Sequence, residues 1–225
     1  LGDVYKRQKQ YGRIIMQKCM ILLAGYPATG KSYMCRKIQE RYPGFISVNQ
    51  DEIKEQKWDE YGFDNLEEKS RLEQRAWEEY YASLEQNMEE ENLLISDYPF
   101  SDKQKTRLEE LSTRYGYSVI TIRAIGNIDQ LYEVSRMRDL DQSRHLGHMV
   151  SKYHKGDSME DRSKADCLVS YEVFKDRCLH KGYDTFQLGE LIQVDASDYN
   201  QIDYQAILNR IGEIFLAPQS KLHQD

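Results

Sequence analysis

The stretch Gly25-Tyr26-Pro27-Ala28-Thr29-Gly30-Lys31-Ser32 constrains this chain more than any other. Six unbroken apolar residues, 19–24, precede it, the length of a strand buried on both faces. Met34, Cys35 and Ile38 follow it at helical spacing. Strand, glycine-flanked loop and helix in this order make the G-x-x-x-x-G-K-S phosphate-binding loop. Gly25 and Gly30 let the backbone curl until successive amides face one anion, and the N-terminal end of the next helix adds positive potential. Lys31 can then reach the β- and γ-phosphates, and Ser32 can offer a hydroxyl to Mg²⁺. The stretch predicts a nucleoside triphosphate site formed by Gly25, Tyr26, Pro27, Ala28, Thr29, Gly30, Lys31, Ser32 and Tyr33. No Asn-Lys-x-Asp motif for reading guanine follows, which argues against a GTPase; ATP and Mg²⁺ are the expected ligands.

Further strands are expected at 45–49, 92–96, 117–124 and 190–195, each a short apolar run. Helical patterns separate them. The longest, 67–91, repeats Leu72, Ala76, Tyr80, Leu84 and Met88 every four residues, with Trp77 and Tyr81 widening the stripe. Ser101 and Asp102 should cap a helix over 103–114. Others are expected at 128–139, 169–181 and 204–215. Alternating strands and helices predict an α/β protein of the P-loop NTPase fold, a five-stranded parallel sheet with helices on both faces. Residues 140–164 are polar and aperiodic and are expected to form a mobile loop or lid insertion. Their His145, His148 and His154 lack cysteine or carboxylate partners at zinc spacing, so solvated loop histidines are expected rather than a metal site.

The segment Asp3–Gln8 matches what one reading frame of a sequencing-transposon end encodes. Residues 1–15 are therefore read as a scar and leader, and 16–225 as one domain starting at Met16 or Met20. Those first fifteen residues carry four cations against one acid, which leaves −10 of the total −7 charge for the rest. So acidic a body is a poor non-specific nucleic-acid binder. No apolar run approaches the roughly 18 residues of a membrane span. The four cysteines show neither disulfide nor metal spacing, so reduced thiols and a cytoplasmic location are expected.

Ligands of a parallel sheet gather at the carboxyl ends of its strands. Asp97 ends one apolar run there and is the expected carboxylate for Mg²⁺ together with Ser32. Tyr98 follows it, where motor ATPases place a water-activating glutamate. Asp51 lies 20 residues beyond Lys31, at the end of the second expected strand. It suits either a general base that takes a substrate hydroxyl proton or a helix N-cap. Arg136, Arg138 and Arg144 offer guanidinium groups from the lid side to neutralise a transferring phosphoryl, or pair with acids on their own helix. An acceptor pocket is expected from the helices after Asp51 and the lid, with Tyr61, Phe63, Trp77 and Tyr81 either lining it or, equally, packing the core.

The run 25–32, then Val48-Asn49-Gln50-Asp51-Glu52-Ile53-Lys54, then Leu94-Ile95-Ser96-Asp97 and the arginines from Arg136 resembles the P-loop kinases of the polynucleotide 5′-kinase type. Zeta-toxin and gluconate-kinase-like phosphotransferases share that plan, and the likeness spans roughly residues 20–156. The resemblance implies Asp51 as general base, Lys31 and Ser32 on phosphates and Mg²⁺, and a catalytic lid arginine, Arg136 or Arg138. Arg144 and Lys54 are then expected toward the acceptor. Polynucleotide kinases carry an arginine three residues after the base; here it is Lys54, a point charge without a bidentate fork, which weakens the case for a nucleic-acid acceptor. The resemblance also suggests that 194–197 borders the adenine. The expected activity is ATP-dependent transfer of a phosphoryl group to the hydroxyl of an unidentified acceptor. NTP hydrolysis and nucleotide-switched binding are the alternatives.

Overall fold

The computed structural model describes residues 18–215; the expected leader over 1–15 and Met16 lie outside them. In chain order the elements are β1 (Cys19–Gly25), α1 (Lys31–Arg41), β2 (Phe45–Ser47), α2 (Gln50–Tyr61), α3 (Leu66–Glu89), β3 (Leu93–Asp97), α4 (Asp102–Tyr115), β4 (Ser118–Ile125), α5 (Ile128–Leu140), α6 (Tyr171–His180), β5 (Glu190–Asp195) and α7 (Tyr204–Phe215). Short 3₁₀ turns occupy Leu146–His148, Arg162–Lys164 and Tyr199–Gln201. The strands pair in the order β2-β3-β1-β4-β5, all parallel. The expected five-stranded α/β architecture is therefore present.

Every residue of β1 is buried, as its unbroken apolar run requires of a central parallel strand. Strand geometry then sorts the core. Cys19, Ile21 and Leu23 face α1 and α7, where Met34, Ile38, Ile207 and Ile211 meet them. Met20, Leu22 and Ala24 face the other layer, Tyr80, Leu84 and Met88 of α3 and Leu108 and Leu111 of α4. Burying each such aliphatic side chain contributes about 1.5–3 kcal/mol. The four-residue stripe of α3 is its buried face, Leu72, Ala76, Tyr80, Leu84 and Met88. Ser101 caps α4, and its backbone N–H and hydroxyl both donate to Gln104 Oε1 (3.0 and 2.9 Å).

Two expectations change. The second strand stops at Ser47, because Asn49 already turns the chain: its Oδ1 accepts from the N–H groups of Asp51 and Glu52 and caps α2. Asp51 therefore sits in the first turn of α2 and is not the cap. Residues 140–164 are irregular, as expected, yet they bury Leu146, Met149, Val150 and Tyr153 against Trp58, Phe63 and Leu72. Phe63 and Tyr153 exchange two backbone hydrogen bonds of 2.8 Å. The buried Arg162 donates to the carbonyls of Arg144 and Gln142 (2.6 and 3.0 Å). Apolar residues spaced with neither helical nor strand period leave no periodic signal, although they pack a small core of their own. No helix among the described residues is long and apolar enough to cross a membrane.

Candidate active site

At the carboxyl end of β1 the chain turns through Gly25, whose φ is 102° and whose Cα faces the next strand so closely that a Cβ would lie 1.9 Å from Ala124 O. Only glycine fits such a position. Tyr26 N–H donates to that same carbonyl at 2.9 Å, while its ring packs with Leu131 of α5 and Phe174 and Cys178 of α6. Gly30, φ 76°, starts α1. Ala28 also has positive φ, 61°, and its carbonyl accepts from the Tyr199 hydroxyl. Sequence reasoning missed Tyr199; it lies just past the 194–197 stretch, and its ring edge would lie 3.6 Å from a Cβ placed on Gly30. Lys31 folds over the loop, donating to Tyr26 O and to Thr29 Oγ1 (3.2 Å). Burial lowers its ammonium to about 8, with Asp97 and Asp51 pulling up and Arg138 down. The exposed ring of Tyr33 lies edge-on to Tyr204 at 5.3 Å.

Ser32 Oγ donates to Asp97 Oδ2 at 2.6 Å, and Asn49 Nδ2 donates to Asp97 Oδ1 at 3.0 Å. One asparagine thus caps α2 and orients the carboxylate. Burial pushes the Asp97 carboxyl up, against the Ser32 hydrogen bond and the Lys31 charge. A hydroxyl and a carboxylate side by side are hard oxygen donors, the set that suits Mg²⁺.

Asp51 faces this group from α2, and its charge is felt by both Lys31 and Asp97. Lys54 Nζ lies 2.6 Å from Asp51 Oδ1, and the Arg144 guanidinium bridges Asp51 Oδ2 and Glu55 Oε1, each at 3.7 Å. Burial would raise the Asp51 carboxyl, but Lys54, His148 and Arg144 override it and hold it well below the usual carboxylate range. Of the arginines on α5, Arg138 pairs with Asp139 at 3.1 Å, and its charge reaches Lys31, Arg144 and Tyr199. Arg136 is half-buried and joins none of these contacts.

His145 and His148 are not solvated loop residues, whereas His154 is exposed as expected. His148 Nε2 meets Glu55 Oε1 at 2.6 Å, His145 Nε2 meets Asp59 Oδ1 at 3.0 Å and His154 Nε2 meets Asp64 Oδ1 at 3.2 Å. Burial lowers His148 to about 4. The carboxylates come from α2 and the turn after it, about 90 residues away in sequence. No local spacing reveals such a pairing.

Beside Lys54 opens a cleft of about 550 Å³ whose aromatic walls are Trp58, Tyr98 and Tyr183. None of the four expected wall residues lines it. Tyr61 is exposed, Phe63 is buried against Trp58, and Trp77 stacks on Tyr81.

A family model described as an AAA domain matches residues 21–133, half of the chain. No curated protein is significantly similar in sequence. Among solved structures, a "putative kinase" from Chloroflexus aurantiacus is similar at 26% identity, over 87% of this chain and 97% of its own, with a TM-score of 0.68. The tunicamycin resistance protein of Deinococcus radiodurans is similar at 17% identity over 87% and 94%, TM-score 0.46. A structure of the PezAT toxin-antitoxin system of Streptococcus pneumoniae is similar at 14% identity over 96% of each chain, TM-score 0.42. With its family matched and its phosphate-binding loop at the end of the central parallel strand, the chain belongs to the AAA domain family and has the fold of a P-loop kinase.

Proposed function

We propose that the protein is an ATP-dependent phosphotransferase that moves the γ-phosphoryl group to a hydroxyl acceptor. One observation carries this reading: Asp51, gripped by Lys54 and Arg144, lies within electrostatic reach of Lys31 and Asp97. A site built only to bind nucleotide has no need of that carboxylate. The Chloroflexus protein, similar along nearly its whole length, supports the same activity. Tyr98 occupies the place of a water-activating glutamate and lines the cleft instead, which favours an organic acceptor over water. Within the P-loop kinases we assign the chain to the polynucleotide 5′-kinase, zeta-toxin and gluconate-kinase-like type. Its described cysteines, all free thiols, suit the cytoplasm.

In this mechanism the loop amides and Lys31 hold the phosphates, and at neutral pH a lysine near 8 is still mostly cationic. Ser32 and Asp97 would hold Mg²⁺, which when bound neutralises charge on the β- and γ-phosphate oxygens. Asp51 orients the acceptor hydroxyl. As the acceptor oxygen bonds to the γ-phosphorus, the bond from phosphorus to the β–γ bridging oxygen breaks, ADP leaves and the hydroxyl proton passes to Asp51. Phosphoryl transfer is loose, so the proton moves late and a weakly basic carboxylate suffices. Arg138 and Arg144 supply positive charge beside the transferring group; Arg136 stands apart from it.

The test is ADP release by the full chain with Mg²⁺ and ATP, alone and with pooled nucleosides, sugars, small antibiotics or 5′-hydroxyl oligonucleotides. Release that depends on an acceptor and disappears in Lys31→Ala is expected. Turnover that is equal with and without every pool would reject the kinase reading in favour of NTP hydrolysis.

A further inference from the structure

The cleft beside Lys54 starts one side chain from the Asp51 carboxylate, since the Lys54 ammonium that holds Asp51 also lies 5.3 and 6.0 Å from the Trp58 and Tyr98 rings. Its charged lining is Lys54, Lys69 and Arg177 against Glu73 alone. In a body of net −10 beyond its first fifteen residues, this is a local concentration of positive charge. Lys54 is already committed to Asp51, but Lys69 and Arg177 have no carboxylate within ion-pair distance among the described residues. Lys69 is the more telling. Only 8% exposed, it makes one hydrogen bond, to Val150 O at 3.1 Å, and otherwise lies 5.3 and 5.4 Å from the rings of Trp58 and Phe63. Glu73 acts on this ammonium only through space, outside ion-pair distance, and a buried ammonium so weakly compensated is costly to keep. Trp58 Nε1, also buried, has no acceptor. The Lys69 ammonium keeps N–H donors beyond the one it gives to Val150 O.

We propose that the acceptor is a small anionic alcohol bearing a planar ring, with its phosphate or carboxylate held by Lys69 and Arg177 and its ring between Tyr98 and Tyr183. The size of the cleft is that of a single small-molecule site. Flat aromatic walls select a ring, and the positive lining in an acidic body draws in an anion and repels cations. The assignment of the ligand as acceptor rests on the kinase reading above; the anion site itself does not.

The two are tested separately. The full chain, saturated with MgADP to occupy the phosphate-binding loop, is titrated by calorimetry with phenyl phosphate, benzoate, phenol and benzylamine. At least one of the two anions should bind, and which one does tells phosphate from carboxylate; phenol and benzylamine should not. Lys69→Gln and the exposed Arg177→Gln should each weaken the anion about tenfold or more, and Lys69→Arg should restore much of the loss. Phenol binding as well as the anions, no anion binding, or anion affinity unchanged in both glutamine variants would overturn the proposal. ADP release stimulated only by neutral acceptors would also overturn it while leaving the kinase reading intact. Anion binding lost in the variants, with no acceptor ever stimulating ADP release, would keep the anion site and reject the kinase reading with the acceptor assignment.

Discussion

Lys31 and Asp51 are the two residues whose surroundings say most about chemistry. Among the described residues, the polar partners of the Lys31 ammonium are Tyr26 O and Thr29 Oγ1, and burial brings it down to about 8. Phosphate binding favours the charged form and must raise it again. ATP affinity should therefore be flat below pH 8 and fall about tenfold per pH unit above it. Calorimetry in buffers of different ionisation enthalpy should show about half a proton taken up at pH 8. Asp51 behaves oppositely: its cationic neighbours keep it ionised at any ordinary pH. Asp51→Asn keeps the shape and removes the proton acceptor. We expect kcat to drop about 10²–10⁴-fold while ATP affinity measured by calorimetry stays within about twofold, since charge-assisted binding is left to Lys31.

At the level of elements, the least legible feature is how residues 140–164 attach to α2. His145 and His148 read as solvated because helix and strand periods report only near neighbours. The partners Asp59 and Glu55 lie some 90 residues upstream and meet them only after α2 and α5 have both docked. This seam has a pH dependence. The folded value of His148, about 4, is below an unfolded value near 6.5. Between those values the unfolded chain binds more protons, so stability is full above pH 6.5 and falls as pH drops toward 4. Integrated over that window the loss is about 3 kcal/mol. Glu55, lowered despite its burial by the hydrogen bond from His148, adds loss of the same sign as it protonates. Urea unfolding at pH 7, 5.5 and 4.5 should show the decline, and His148→Gln should flatten most of it. A decline equally steep in the variant would remove His148 as its origin.

For the molecule as a whole, the layers were readable because the strands are short apolar runs and the helices packed on the sheet carry apolar stripes, whereas α2, burying only Gln50 and Trp58, has none. The α3 stripe and the bounds of β5 and α7 match expectation for that reason. The phosphate-binding loop was readable because its glycines answer steric demands that no other residue meets. The dual role of Asn49, the hydroxyl of Tyr199 on Ala28 and the cleft walls were not, being long-range contacts with no local pattern. These contacts also explain why the loop should couple to global stability. Its Tyr26 packs on α5 and α6, Ser32 is tied to β3 through Asp97, and Tyr199 closes it from beyond β5. A ligand seated there touches every layer and binds only the folded chain. At one hundred times its dissociation constant it adds about 2.7 kcal/mol, which in a domain of this size is about 5–10 °C in Tm. MgADP should produce that shift in a thermal scan, Lys31→Ala should abolish it, and Ser32→Ala should lose the part that EDTA removes from the wild type. A shift untouched by Lys31→Ala would place the nucleotide elsewhere than at the end of β1.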